Sequence, residues 1–394
     1  MTTPDYDELA GRFRPIFERI AKNAVQRERE RELPFEEIEW LREAGFGALR
    51  VPVEYGGSGA SLPQLFRLLI ELGAADSNLP QLLRGHFAFT ESRIVDADLE
   101  ARERWGREIA SGSLVGNASS ELGTTSLAEP RTALTQDGDR WLLNGTKYYS
   151  TGTLFADWIS VGGVQTGERV SVSVRSDAPG VTRTDDWDGF GQRLTGSGTT
   201  VFDGVEVAAD NIYRWRDRGP SHLLAFFQLV LLATLAGIGR AVVRDAVDFV
   251  QPRTRAYPAS VDPVPRQDPL VQQVIGRLSA SSFTVDATVL AAAEQVGLAA
   301  DAAYDGSLTQ ELVDAAEIAA YQAQVTVIDL VLTSATTLFE VGGASATSHT
   351  RQLDRHWRNA RTVASHNPAI YKSRLIGDHL LNDVSPGAVW AARR

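Results

Sequence analysis

The sequence predicts an α+β chain, mostly α, in three regions: all-α at 1–112, a small β-structure at 113–220 and a helical bundle at 221–394. Three observations carry this. Apolar residues recur at helical spacing in both outer regions. Alternation of apolar and polar residues, as in "DWISVGGV" and "RVSVSVRS", is confined to the middle. The length of 394 residues with 43% apolar content suits two or three domains, or one domain of several layers.

The elements follow in order. Leu9, Phe13, Ile16, Phe17, Ile20 and Ala24 lie on one helical face, and "QRERERE" continues the solvated side. Pro34 suits the first turn of a second helix, "PFEEIEWLREAG", which stops at glycine. "VPVEYGGSGAS" is a loop. "SLPQLFRLLIELGAAD" is a third helix with Ser61 as its cap, and residues 80–111 are again mostly helical. In "RWLLNGTKYYSTG", Asn-Gly between two strand-like runs predicts a hairpin turn. "GTTVFDGVEV" is a further strand with a glycine break. Long helices are expected near 222–250, 268–305 and 308–340, the last broken by "EVGGASATS". Shorter ones are expected near 350–361 and 367–383, and "YPASVDPVPRQDP" is a loop.

Composition excludes several classes of function. The chain has no cysteine, so disulfides, thiolate nucleophiles and cysteine-ligated metals are ruled out. Its formal net charge is -11 with no long basic block, which argues against a nucleic-acid partner. The first residues, "MTTPDYDELAGRFRPIF", lack the apolar segment of a signal peptide, so a cytoplasmic protein is expected. "LLAFFQLVLLATLAGIG" runs 17 residues without a charge, but a membrane span needs about 20. It contains Gln228, Thr234 and two glycines and ends at Arg240, so a buried helix is expected. "GIGRAV" falls in that helical run and is not a nicotinamide fingerprint.

"HWRNARTVASHNP", residues 356–368, concentrates polar residues where a helical stretch should end. His366 precedes Asn367-Pro368 and so belongs at a helix start, where capping or chemistry are both open to it. His86 in "GHFAF" reads equally as a core histidine or an active-site one. Asn117 and Ser150 are turn or strand residues unless a ligand uses them. Arg253 and Arg255 could clamp a phosphate through planar guanidinium groups, or be a solvated helix end. Arg358 and Arg361 share a helical face, as a phosphate clamp or an ion-pair network. His349 and His356, seven apart, could share a face, yet no metal motif accompanies them, and no metal is expected.

The order of elements resembles the acyl-CoA dehydrogenase superfamily over nearly the whole chain. The motifs are "LREAGFGALRVPVEYGGSGAS", "SSELGTTSLAEPRTALTQDGDRWLLNGTKYYSTGTLFADWISV" and "FEVGGAS". "GHFAF", "GNASSE", "YYSTGTLFADWI", "RTRAYP" and "DRHWRNARTVASHNP" narrow the likeness to its reduced-flavin-dependent, two-component monooxygenases of dibenzothiophene type. Ser365, His366 and Asn367 stand where the common dehydrogenases carry a glutamate base in a Tyr-Glu-Gly context. The resemblance implies that reduced FMN (FAD is the alternative) reacts with oxygen at ring carbon C4a, and that the hydroperoxide oxygenates a small, mostly apolar organosulfur or aromatic heterocycle. It implies catalytic roles for His366, His86, Ser150 and Asn117. It places the flavin at Tyr148, Ser150, Thr151, Asn117, Arg253, Arg255, Gly342, Gly343 and His366. A separate NAD(P)H-dependent flavin reductase and a homotetramer are implied too. The alternatives are an FAD-dependent acyl-CoA dehydrogenase-like oxidoreductase, an N-oxygenase of an amine or amino sugar, or a non-catalytic member of the fold.

Overall fold

The computed structural model describes residues 4–123, 131–214 and 219–387. Six helices come first: α1 (Tyr6–Glu30), α2 (Phe35–Glu43), α3 (Leu62–Ala75), α4 (Asn78–Leu82), α5 (Arg84–Ile94) and α6 (Leu99–Ala110). Pro34 is the N-cap of α2, and Gly45 beyond its end has φ +74°. Ser61 forms a full capping box with Gln64, which satisfies donors that a helix start otherwise leaves open.

The middle region is one eight-stranded sheet. Its strands are β1 (Val115–Ala118), β2 (Ala133–Asp137), β3 (Arg140–Lys147), β4 (Trp158–Gln165), β5 (Glu168–Arg175), β6 (Val181–Arg183), β7 (Thr200–Val207) and β8 (Ile212–Arg214). The spatial order is β6-β7-β3-β2-β4-β5-β8, with β1 parallel to β4 at the side. The hairpin expected at Asn144-Gly145 is not there. The two-residue turn is Gly138-Asp139, between the paired Asp137 and Arg140. Asn144 and Gly145 lie within β3 at a bulge, where Asp203 and Gly204 of β7 oppose the single Asn144. The Asn144 side chain accepts from the Gly204 N–H at 2.8 Å. A Cβ on Gly145 would sit 2.4 Å from Thr132 Oγ1, so glycine is required there by close approach and not by a turn.

The bundle holds α7 (Leu223–Val250), α8 (Pro269–Tyr304), α9 (Gln310–Thr337), α10 (Arg355–Ser365) and α11 (Ile370–Asn382). Helix α7 is long and apolar enough to cross a membrane, as is Gln310–Val341, but 83% of the apolar window of α7 is buried against α3, α8 and α9. Gly237 in "GIGRAV" serves this packing: a Cβ there would meet the Gly73 backbone of α3 at 2.5 Å. The expected helix at 350–361 starts later, at Arg355, after a left-handed Gln352 (φ +50°). His366 is therefore the C-cap of α10 and not a helix start.

Buried polar bridges fix where α10 sits. Arg358 reaches Glu28 and Asp354, each at 2.8 Å, and donates to Gln352 at 2.8 Å. The Asn359 side chain accepts from the Gln192 N–H at 2.6 Å and donates to Ser77 Oγ at 3.2 Å. Arg358 is thus the ion-pair network its spacing allowed, while Arg361 donates to Ser365 Oγ at 3.2 Å. His349 lies in a turn before α10, so it shares no helix face with His356. Burial pushes the Asp245 carboxyl up, but the hydrogen bond from His356 at 2.9 Å and the charges of Arg355 and Arg244 outweigh it and hold Asp245 ionised. Among the described residues, no group of three or more His, Cys, Asp or Glu side chains could hold a metal ion.

Candidate active site

The end of α10 faces the loop that follows β3, and a cleft opens between them. It has two lobes of about 300 Å³ each, and Tyr149, Thr151 and His366 line both. One lobe is completed by Gln81, Trp187, Phe190, Gln192 and Ser197. The other is completed by Arg84, Asn117, Phe227, Gln228, Tyr321 and Lys372. That volume is within the range of small-molecule sites, and all three regions contribute walls.

The loop is held in an unusual conformation. Tyr149 has φ +59°, rare for an aromatic residue, and packs against Tyr148 and Trp187 with ring centroids 4.8 and 5.8 Å away. The Thr151 carbonyl accepts from the Asn117 N–H at 3.1 Å, and Thr151 Oγ1 bonds Ser197 at 2.8 Å. Two of the expected ligand-binding positions, Asn117 and Thr151, are therefore brought together by β1 and the loop. Ser150 is fully buried, and its hydroxyl finds no hydrogen-bond partner among the described residues. The side-chain oxygens of Gln81 and Gln192, which line the cleft, are likewise unmatched. Ser150 itself lines neither lobe. An unmet buried polar group costs roughly 1–3 kcal/mol, so the two glutamine oxygens in the cleft wall suit a polar ligand. Tyr148 lines neither lobe; it stands behind Tyr149 with its hydroxyl 3.4 Å from the Asp186 carbonyl.

His366 projects into the cleft. Its Nε2 lies 3.3 Å from Nη1 of Arg84, which can only donate, so a neutral ring carries its proton on Nδ1. Loss of water around the ring, then the charge of Arg84, push its pKa down, to about 3. The side chain is nonetheless exposed at the cleft surface, so the Arg84 contact is the firmer of the two causes. Both causes favour a neutral ring over a charged one.

His86 is placed differently. It is 1% exposed and lines neither lobe. Its Nδ1 accepts from the Val115 N–H at 3.2 Å, and its Nε2 donates to the Gly47 carbonyl at 2.9 Å. Both ring nitrogens are consumed, so the catalytic expectation is corrected: His86 ties the start of β1, and through it Asn117, to the loop at Gly47. Burial pushes its pKa down to about 4. The unfolded chain therefore takes up this proton near pH 6.5 and the folded chain only near 4. Stability is full above pH 6.5 and is lost as pH falls toward 4. Urea unfolding at pH 7 and 4.5 should show a loss of up to about 2–3 kcal/mol from this residue. His86→Gln should flatten that slope; an unchanged slope would contradict the assignment.

Arg253, Arg255, Gly342 and Gly343 come together, but elsewhere. They line an open pocket of about 690 Å³ that shares no lining residue with the cleft. Arg253 donates to the Gly342 carbonyl at 3.3 Å and to Ser345 Oγ at 3.0 Å, while Arg255 is exposed. Residues 124–130 of the expected flavin loop lie outside the described residues. Sequence reasoning missed Tyr149, Trp187, Gln192, Arg84 and Lys372. Arg84 adjoins "GHFAF" and Tyr149 lies inside "YYSTG", so two of them stood beside or within motifs already singled out.

Comparison with known proteins shows the family. Models of the acyl-CoA dehydrogenase N-terminal, middle and C-terminal domains match residues 3–113, 117–205 and 229–369. A dibenzothiophene monooxygenase of Mycolicibacterium goodii is 30% identical over 375 residues, 89% of this chain and 88% of its own. A probable FMNH2-dependent monooxygenase, SfnC of Pseudomonas putida, is 27% identical over 96% of this chain and 94% of its own. The structure of TdsC from Paenibacillus sp. A11-2 with FMN and indole superimposes with a TM-score of 0.88 at 27% identity, covering 97% and 99% of the two chains. The chain belongs to the acyl-CoA dehydrogenase family and, within it, to the flavin-dependent monooxygenases.

Proposed function

We propose that this chain takes reduced FMN from a separate NAD(P)H-dependent reductase and uses oxygen to oxygenate a small organosulfur or aromatic heterocyclic substrate. The observation that carries the reading is the two-lobed cleft whose lobes meet at Tyr149, Thr151 and His366. One lobe takes the flavin ring and the other the substrate. The unmatched oxygens of Gln81 and Gln192 in the cleft wall fit a flavin, whose pyrimidine edge supplies donors. Reduced flavin supplies the reactivity toward oxygen. The protein orients, hydrogen-bonds and excludes water. Tyr149 offers an aromatic face, Asn117 and Thr151 offer hydrogen bonds, and the Nδ1–H of His366 stabilises charge that develops on oxygen. Trp187 and Phe190 keep the lobe dry.

The pocket of Arg253 suits the flavin phosphate of a second copy of the chain, because it shares no residue with the cleft of its own chain. A homotetramer of cytoplasmic subunits, each divided at 1–112, 113–220 and 221–394, completes the proposal.

The test supplies chemically reduced FMN with labelled oxygen to a panel of thiophenes, indoles and small sulfur compounds, and reads label in the products by mass. Incorporation into at least one supports the reading; peroxide release alone from the whole panel overturns it. Because Ser365-His366-Asn367 replaces a glutamate base, a panel of acyl-CoA thioesters should not bleach the bound oxidised flavin under anaerobic conditions. Bleaching would favour the dehydrogenase alternative.

A further inference from the structure

Two cations line the same lobe of the cleft, and among the described residues neither forms a salt bridge. Arg84 donates to the Phe227 carbonyl at 3.0 Å and to His366, and its guanidinium lies 4.7 Å from the Phe227 ring centroid. Lys372 is 8% exposed, and its ammonium sits 3.7 Å from the Tyr321 ring centroid. Glu317 is the acidic group nearest in effect to Lys372, but it acts at longer range and accepts the Tyr321 hydroxyl at 3.4 Å. Among the described residues no carboxylate lines the lobe. The other walls combine apolar side chains such as Leu224, Phe227 and Tyr321 with neutral amides and hydroxyls such as Asn117, Gln228 and Ser119.

Partly buried cations without a contacting counter-ion are costly, because removal of water is only partly offset by a distant charge such as Glu317. A ligand that brings the missing anion recovers that cost, and in a low-dielectric lobe the gain exceeds that of the same pair in water. The chain as a whole carries a formal charge of -11, so two unpaired cations at one cavity stand against the general balance. The flavin phosphate has a different candidate clamp in the pocket of Arg253. The aromatic faces beneath both cations favour a flat or apolar body with a charged end.

Resting on the monooxygenase reading above, we infer that the substrate carries an anionic group, a carboxylate, sulfinate or sulfonate on an apolar body, and that Arg84 and Lys372 bind that group. This narrows the substrate from the mostly apolar heterocycle implied by the sequence. Arg84 suits a bidentate contact with two oxygens, and Lys372 supplies a point charge from α11. Neither residue transfers the oxygen atom; together they decide which end of the substrate faces His366.

The test compares benzothiophene with benzothiophene-2-carboxylate on the FMN-loaded enzyme, by perturbation of the flavin spectrum. FMN affinity is measured alone first, so failure of FMN to bind would indict the monooxygenase reading and not this one. The carboxylate should bind at least about tenfold tighter than the neutral probe. Lys372→Met should lower the ratio of the two affinities by about ten- to a hundredfold, and Arg84→Met by as much or more. Lys372→Met keeps the test standing if Arg84→Met does not fold. Equal or weaker binding of the carboxylate would overturn the inference. So would a loss of FMN affinity in Lys372→Met without probe, since the cation would then serve the flavin.

Discussion

His366→Asn is expected to keep flavin binding and the oligomer, and to lower product formation by about 10²–10⁴. The side chain lies at the C-cap of α10, exposed at the cleft surface, with its ring against Arg84 at 3.3 Å and the Asn367 side chain. Asparagine can still accept from Arg84, but it does not reproduce the N–H position that the Nδ1 tautomer presents to the cleft. Reduced flavin should still consume oxygen in the variant, with hydrogen peroxide released in place of oxygenated product. Oxygen uptake measured together with product yield separates the two. Unfolding of the variant, or coupled turnover at the parent rate, would return His366 to a capping role.

Replacing both Arg253 and Arg255 with alanine is expected to weaken FMN binding by about one to two decades. Removal of one charge-assisted phosphate contact costs about 1.5–3 kcal/mol, and Arg253 is already aimed by Ser345 and the Gly342 carbonyl. The pocket and the cleft share no residue, so the proposed clamp acts on the flavin of a neighbouring chain. A mixture of Arg253→Ala/Arg255→Ala chains with His366→Asn chains should then regain activity that neither has alone. In hybrids assembled at random, about a quarter of the sites would be intact. Unchanged FMN affinity in the double variant would place the clamp elsewhere. Light scattering showing only the 42.8 kDa chain would remove the neighbouring subunit that the proposal needs.

What could be read along the chain was local. Helical period marked α1, α3, α7, α8 and α9, alternation marked β4 and β5, and Ser61 announced its capping box, because each signal lies within a few residues of the structure it specifies. The family likeness was legible for the same reason: its motifs are short and occur in the right order.

The outcomes that diverged depend on partners far away in sequence. Asn144-Gly145 has the composition of a hairpin turn, yet β7 and Thr132 press against it and make it a bulge. His86 reads equally as a core or an active-site histidine in the sequence, and Gly47 and Val115 occupy both its ring nitrogens. The pKa of His366 is pushed down by loss of water and by Arg84, 282 positions away, which shares its cleft. That Arg84 and Lys372 form no salt bridge among the described residues is likewise a property of everything around them. By itself the sequence determined the order of elements and the family, since propensity and periodicity act over a few residues. Which side chains meet, which are deprived of water and which remain without a counter-charge was decided only by the tertiary structure, because burial and electrostatic environment are sums over the whole fold.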